Sequence, residues 1–138
     1  MKLFVDTWGW LALADSGEPR HREAVLCYRE RARLTGRILT SNFVLDEFLT
    51  ILFSRRPFAE AERFTKALVG SALVTVEQVS EKRFESALNL RLTLTDKPKI
   101  SFTDLTSMVI MQELGIVNVL TADNHFAQVG LGFRLLPG

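Results

Sequence analysis

Cysteine occurs once, at Cys27, and no CxxC pair is present, so neither an intrachain disulfide framework nor a cysteine-built zinc site is available. Histidine is almost as scarce. His21 and His125 lack the HxxxH spacing that sets two imidazoles on one helical face, and both read as surface or loop residues. Long apolar runs are missing as well: Leu3-Phe4-Val5 is cut off by Asp6, too early for a signal-peptide core, and Trp8 to Ala14 is too short to span a bilayer. The expectation is a cytoplasmic protein with no membrane segment. Nor is one sign of charge in excess, since 17 Lys+Arg against 16 Asp+Glu leave a net charge of +1. That balance excludes coating of nucleic acid by bulk electrostatics while leaving room for a local basic patch. No GxxxxGK[ST], GxGxxG or GxSxG occurs, which removes local support for nucleoside-triphosphate, dinucleotide and serine-hydrolase chemistry.

What is present is enough for one domain over residues 1–138: 47% apolar and 24% charged residues can build a core without staples. Lys2 to Val5 reads as a short strand, Asp6-Thr7 as a cap, and the stretch to Asp15 as a helix. An Arg-rich helix over His21 to Leu34 ends at Thr35-Gly36, and Ile38-Leu39-Thr40 is a second strand. Ser41 or Asn42 caps a helix that Arg55-Arg56-Pro57 stops, and a further helix over Phe58 to Val69 is closed by Gly70. A strand at Ala72 to Val76, a helix at Glu81 to Leu94 and a helix opened by Ser101-Phe102-Thr103-Asp104 and ended by Gly115 follow. Val117 to Thr121 (strand), Asp123 to Val129 (short helix) and Phe133 to Leu136 (strand) complete the order. Strands alternating with amphipathic helices predict an α/β fold with a parallel sheet covered on both faces and right-handed crossovers. Ligands bind such sheets at the carboxyl ends of the strands, and the residues there are acidic.

Asp6 ends the first strand, Asp104 opens a helix and Asp123 follows a strand, and each taken alone reads as an ordinary helix N-cap. Glu47 sits mid-helix, where capping cannot account for it. At 100° per residue it borders the apolar stripe of Val44, Phe48 and Ile51, whereas Asp46 points away from it; the ordinary reading of Glu47 is a salt bridge. Jointly the acids can meet at one rim. Carboxylates packed that closely raise one another's pKa unless a cation sits among them, and hard oxygen donors without His or Cys suit Mg²⁺ or Mn²⁺ better than zinc.

Phe4-Val5-Asp6-Thr7, Thr40-Ser41-Asn42 through Glu47, Ser101-Phe102-Thr103-Asp104 and Leu120-Thr121-Ala122-Asp123 with Phe126, in that order and at those intervals, resemble a PIN-domain ribonuclease of the VapC toxin type. The resemblance implies a three-layer α/β/α sandwich around a central parallel sheet. It implies a catalytic and metal-binding set of Asp6, Glu47, Asp104 and Asp123, with Thr7 and Thr103 as polar neighbours, Thr103 reading more simply as a helix cap. The implied reaction is Mg²⁺- or Mn²⁺-dependent hydrolysis of RNA to a 5′-phosphate and a 3′-hydroxyl, the cation activating water for in-line attack. The implied partners are RNA and a cognate antitoxin.

RNA approaching four acids needs positive charge nearby. Candidates are Arg20, Arg22, Arg55, Arg56, Lys97 and Lys99, with Lys97 and Lys99 first because they precede the Asp104 motif, while Arg29, Arg31 and Arg33 read as a solvated helix face. Trp8 is placed to stack on a base, but core packing is the preferred reading of both Trp8 and Trp10. Phe53, Phe58 and Phe64 exceed what one core-facing stripe uses, so a homodimer is expected. The competing readings are a PIN-like RNA-processing nuclease without an antitoxin and a Mg²⁺-binding receiver-like or interaction module without nuclease activity. A phosphatase with Asp6 as nucleophile would want a second Asp where Trp8 stands.

Overall fold

The computed structural model describes residues 2–138, so Met1 lies outside the described residues. The elements run β1 (Leu3–Val5), α1 (Thr7–Ala14), α2 (His21–Thr35), β2 (Ile38–Ser41), α3 (Asn42–Arg55), α4 (Phe58–Val69), β3 (Val74–Glu77), α5 (Glu81–Thr93), α6 (Phe102–Leu114), β4 (Asn118–Leu120), α7 (His125–Gln128) and β5 (Arg134–Leu136). The strands form one sheet in the order β3-β2-β1-β4-β5, every neighbouring pair parallel. Helices flank it as a three-layer α/β/α sandwich. β1 and β4 are apolar or buried at every position because both sheet faces are covered, which is why neither strand shows polar alternation.

Local chemistry sets the boundaries. Ser41 Oγ accepts from the Val44 amide at 3.1 Å and so starts α3, while Asn42 turns outward to take the Val79 amide at 2.8 Å. The third strand begins later than its Ala72 start in the sequence pattern, because the Ser71 hydroxyl holds the Leu73 amide at 3.2 Å in a turn. Ser101, not Thr103, caps α6: its Oγ accepts from the Asp104 amide at 3.0 Å, so Thr103 lies inside the first turn. α6 ends at Gly115, whose φ of 67° is the left-handed conformation a Cβ would oppose.

The core is joined by one polar chain. Trp10 Nε1 donates to Thr40 Oγ1 at 2.9 Å, and that hydroxyl donates to the Val5 carbonyl at 3.0 Å, tying α1 to β2 and β1. Trp10 packs with Tyr28 and Phe48 at centroid distances of 6.0 and 6.3 Å, and Phe64 meets Phe48 edge-on at 5.8 Å. Phe64 is therefore used within the single chain, contrary to its assignment as surplus apolar surface. Phe53 and Phe58 are exposed and lie against each other at 5.5 Å.

At Gly9, α1 crosses so close to β4 that a Cβ would stand 2.5 Å from the Leu120 carbonyl oxygen and 2.8 Å from a Val5 methyl. Backbone cannot yield there. Gly9→Ala is expected to destabilise the fold by about 1–3 kcal/mol, the range for overpacking, read as a lower midpoint in chemical denaturation; an unchanged midpoint would show that α1 is free to lift from the sheet.

Candidate active site

The sheet order reverses at β1: β2 and β3 lie to one side, and β4 and β5 to the other. A crevice forms where successive connections leave in opposite directions, here beyond the ends of β1 and β4. Asp6 is the first residue past β1 and only 3% exposed. Its Oδ1 accepts the Gly9 amide at 2.8 Å, making Asp6 the N-cap of α1, and its Oδ2 accepts from the Thr121 hydroxyl. Thr121 Oγ1 also accepts the Asp123 amide at 2.9 Å, so one buried hydroxyl joins the acids that follow β1 and β4. Asp123 Oδ1 takes the His125 amide at 2.9 Å, an Asx turn that delays the start of α7 to His125.

Asp6, Glu47, Asp104 and Asp123 line one cleft of about 380 Å³. Glu47 is half-buried and Asp46 exposed, as the helical-face argument requires. Among the ion pairs of the described residues none involves Glu47, so the salt-bridge reading of that residue fails. The cap reading survives for Asp6 alone, which caps and faces the cleft at once.

Other assignments are corrected. Thr7 lines the cleft with its Oγ1 buried and unpartnered, but Thr103 does not, being rotated about 100° from Asp104 along the helix; Ser101 takes its place in the wall. His125 is not a plain loop histidine: one ligand atom each from Asp104, Asp123 and His125 lie within 4.8 Å of one another. Its Nδ1 is 3.0 Å from Asp123 Oδ1 yet off the line of a hydrogen bond, and is buried without a partner. Trp10 is core as expected, but Trp8 is half-buried and lines the cleft.

The basic residues also divide. Arg55 and Lys99 are exposed at the cleft, Arg55 two turns beyond Glu47 on the same side of α3. Arg56 is held by Glu60 at 3.1 Å and Asp15 at 3.7 Å, and Lys97 by Asp96 at 2.9 Å. Neither is at the acids, although Lys97 lines an adjoining hollow with Lys99 and His125. The loop that carries Lys99 is clamped by Arg91, whose guanidinium donates to the carbonyls of Leu94 (2.8 Å), Lys97 (2.7 Å) and Ile100 (3.1 Å). Thr121 stands in the Leu120-Thr121-Ala122-Asp123 motif but carries no expected role there, and Arg91, in no motif, acts through backbone carbonyls that a sequence does not position.

Residues 3–131 match the PIN domain family. The chain belongs to the PIN-domain family. It is 34% identical over 128 residues to the 23S rRNA-specific endonuclease VapC20 of Mycobacterium tuberculosis, covering 93% of this chain and 94% of that protein. The crystal structure of Mycobacterium tuberculosis VapC20, described as a Sarcin-Ricin loop cleaving toxin, superposes with a TM-score of 0.81 and 32% identity over 96% of this chain and 98% of that one. VapBC2 from Rickettsia felis, solved bound to a DNA fragment from its promoter, superposes with a TM-score of 0.75 at 15% identity over 98% of this chain and 97% of that one, a likeness of fold alone. The PIN domain is a nuclease fold, and this chain is an enzyme of that class and VapC type.

In this PIN domain the acids carry more charge than their surroundings support. Burial, offset in part by the bonds from Thr121 and Gly9 and reinforced by the charges of Asp123 and Glu47, pushes Asp6 up to about 7. Burial, the hydrogen bond with Asp123 and the neighbouring carboxylates push Asp104 up to about 8. Asp123 ends below the usual carboxylate range: burial raises it, but the bond from Asp104 and the contacts with His125 outweigh that. Without a cation, Asp104 thus favours its protonated form beside an Asp123 that favours its charged one. A divalent cation fits such a set, because it supplies the charge the acids lack and each Asp6 oxygen retains a second lone pair after its one bond.

A carboxyl whose pKa is raised on folding holds a proton that the unfolded chain releases near pH 4, so stability falls as pH rises from about 4 to 8. Asp123, depressed, acts only below that window. Cation-free protein is expected to unfold at a lower denaturant concentration at pH 8 than at pH 5, with Mg²⁺ or Mn²⁺ restoring the loss at pH 8 and Asp104→Asn flattening the slope. A profile that is level in pH and indifferent to both cations would contradict the charge arrangement described.

Proposed function

We propose that this PIN-domain protein is a Mg²⁺- or Mn²⁺-dependent endoribonuclease, the toxin of a toxin–antitoxin pair acting in the cytoplasm, with Asp6, Glu47, Asp104 and Asp123 as its catalytic set and a structured loop of 23S rRNA as its substrate class. The observation that carries this reading is the meeting of those four acids in one cleft at the switch point, with no Lys or Arg ion pair to any of them among the described residues. The identity to a 23S rRNA-specific endonuclease over nearly the whole chain supports the substrate class.

Asp104, Asp123 and Asp6, with His125 at the margin, would hold the cation, which would supply the positive charge that lowers the pKa of water and offsets charge on the phosphate oxygens. The chain does the rest. Thr121 and the Gly9 amide lock the Asp6 carboxylate in one rotamer, so no reorganisation is needed when substrate arrives. Glu47, across the cleft on α3, orients the attacking water, and the departing 3′-oxygen takes its proton from solvent. Lys99 and Arg55 draw in the RNA backbone from the two rims. Arg56 and Lys97, already paired, contribute less.

Asp6→Asn, Glu47→Gln and Asp104→Asn are each expected to lower cation-dependent cleavage of 23S rRNA fragments by about a hundredfold or more while leaving the circular dichroism spectrum intact. Asp46→Asn should stay within about twofold of wild type. Loss in Asp46→Asn with retention in Glu47→Gln would reverse the assignment on α3.

The same reading includes a homodimer and capture of an antitoxin segment. Exposed Phe53 and Phe58, in tilted contact where α3 meets α4, support self-association. Light scattering at micromolar concentration should give about twice 15.6 kDa, reduced to the monomer mass by Phe58→Glu; a monomeric wild type would remove the dimer.

A further inference from the structure

Trp8 and Trp10 sit two residues apart at the start of α1 and have opposite surroundings. Trp10 is 2% exposed, bonded through Nε1 and packed between aromatic rings. Trp8 is half-buried against the core, and the rest of its indole forms wall in the acidic cleft, next to Asp6 and Thr7. Among the described residues it pairs with no other aromatic ring and its Nε1 makes no hydrogen bond. The guanidinium carbon of Arg20 lies 5.8 Å from the ring centroid of Trp8. Arg20 is itself fixed, by Glu23 at 2.8 Å and by the Gly138 carbonyl at 2.9 Å.

Only part of the indole is used by the fold, the part that packs against the core. A ring partly in water forgoes part of the burial that makes tryptophan valuable in a core, and a cleft for a polyanion gains nothing from an apolar wall unless something apolar enters. A nucleotide brings both: a phosphate for the acid cluster and a flat π-face attached to it. The cleft, at about 380 Å³, is within the range of small-ligand sites, so phosphate and base fit together.

We infer that Trp8, braced by Arg20, is a nucleobase-stacking platform in the wall of the carboxylate cleft, holding the base of a nucleotide that flanks the scissile phosphate. This rests on the ribonuclease reading above and adds a specificity element to it. Stacking tolerates any base and favours purines, which have the larger face, so the platform selects an unpaired, splayed-out nucleotide over one locked in a duplex. Arg20, already paired with Glu23, acts by holding one face of the ring in place.

The test compares two probes of equal charge and length, hexameric oligoadenylate and a hexameric abasic ribose-phosphate chain, bound to the Asp104→Asn protein in Mg²⁺. Oligoadenylate is expected to bind about 5- to 150-fold more tightly, the span for one stacked base. In the Trp8→Ala, Asp104→Asn protein, affinity for oligoadenylate should fall to that of the abasic chain while affinity for the abasic chain stays unchanged; Trp8→Phe should keep most of the difference. Equal affinity of the two probes for the Trp8-bearing protein would overturn the proposal, as would equal loss on both with Trp8→Ala, which is what a purely structural tryptophan predicts. The comparison requires no cleavage, and cleavage of 23S rRNA fragments by the wild type in the same buffer separately tests the ribonuclease reading. Base-dependent binding without cleavage would sink that reading and leave the platform; cleavage without base-dependent binding would do the reverse.

Discussion

A carboxylate buried at the sheet's switch point, with a backbone amide on one oxygen and a hydroxyl on the other, is what the rest of this molecule is arranged around. Asp6 caps α1, and that cap aims the helix across β4 closely enough that only glycine fits at position 9. Its other oxygen accepts a hydrogen bond from the Thr121 hydroxyl, which in turn holds the backbone of Asp123. One side chain thus sets a helix direction, a helix–strand distance and the position of a second acid. Burial, with no cationic partner among the described residues, favours the protonated form of Asp6, and its charge, when present, adds to the load on Asp104.

Such a cluster is a cost in stability that the remainder of the fold offsets. The chain has more basic than acidic residues, yet few of its cations are spent on the cleft: Arg56 and Lys97 bind surface acids, and Arg83 links Glu77 at 3.0 Å to Glu113, joining β3 to α6. Neutralising the acids internally would relieve the repulsion and also remove the place for a cation. Stability comes instead from apolar strands covered on both faces and from the Trp10–Thr40–Val5 chain, whose polar atoms are all bonded. A local conflict at the strand ends, compensated elsewhere, is the pattern expected of a functional site.

Much of the architecture was readable from order and periodicity. α4 occupies Phe58–Val69 just as the pattern predicts, and the remaining elements fall within a few residues of their predicted limits, since Pro57, Gly36, Gly115 and the capping serines act locally. Shifts arose where a side chain captured a neighbouring amide, Ser71 before β3 and Asp123 before α7. The four acids were readable too, Glu47 because a helix repeats every 3.6 residues and so separates it from Asp46.

By itself, then, the sequence determined the parallel α/β fold, the acids at the strand ends and the α3 face that carries Glu47, all consequences of short-range geometry. Tertiary structure alone decided that Trp8 faces the cleft while Trp10 is core, that His125 joins Asp104 and Asp123, that Thr121 bridges two carboxylates, and that Lys99 and Arg55, not Lys97 and Arg56, stand at the rim. Each of those depends on which distant segment lies opposite a side chain, and neither periodicity nor capping carries that information. The pKa of an acid is the extreme case: the same aspartate is a helix cap in water and a proton reservoir when three others are folded against it.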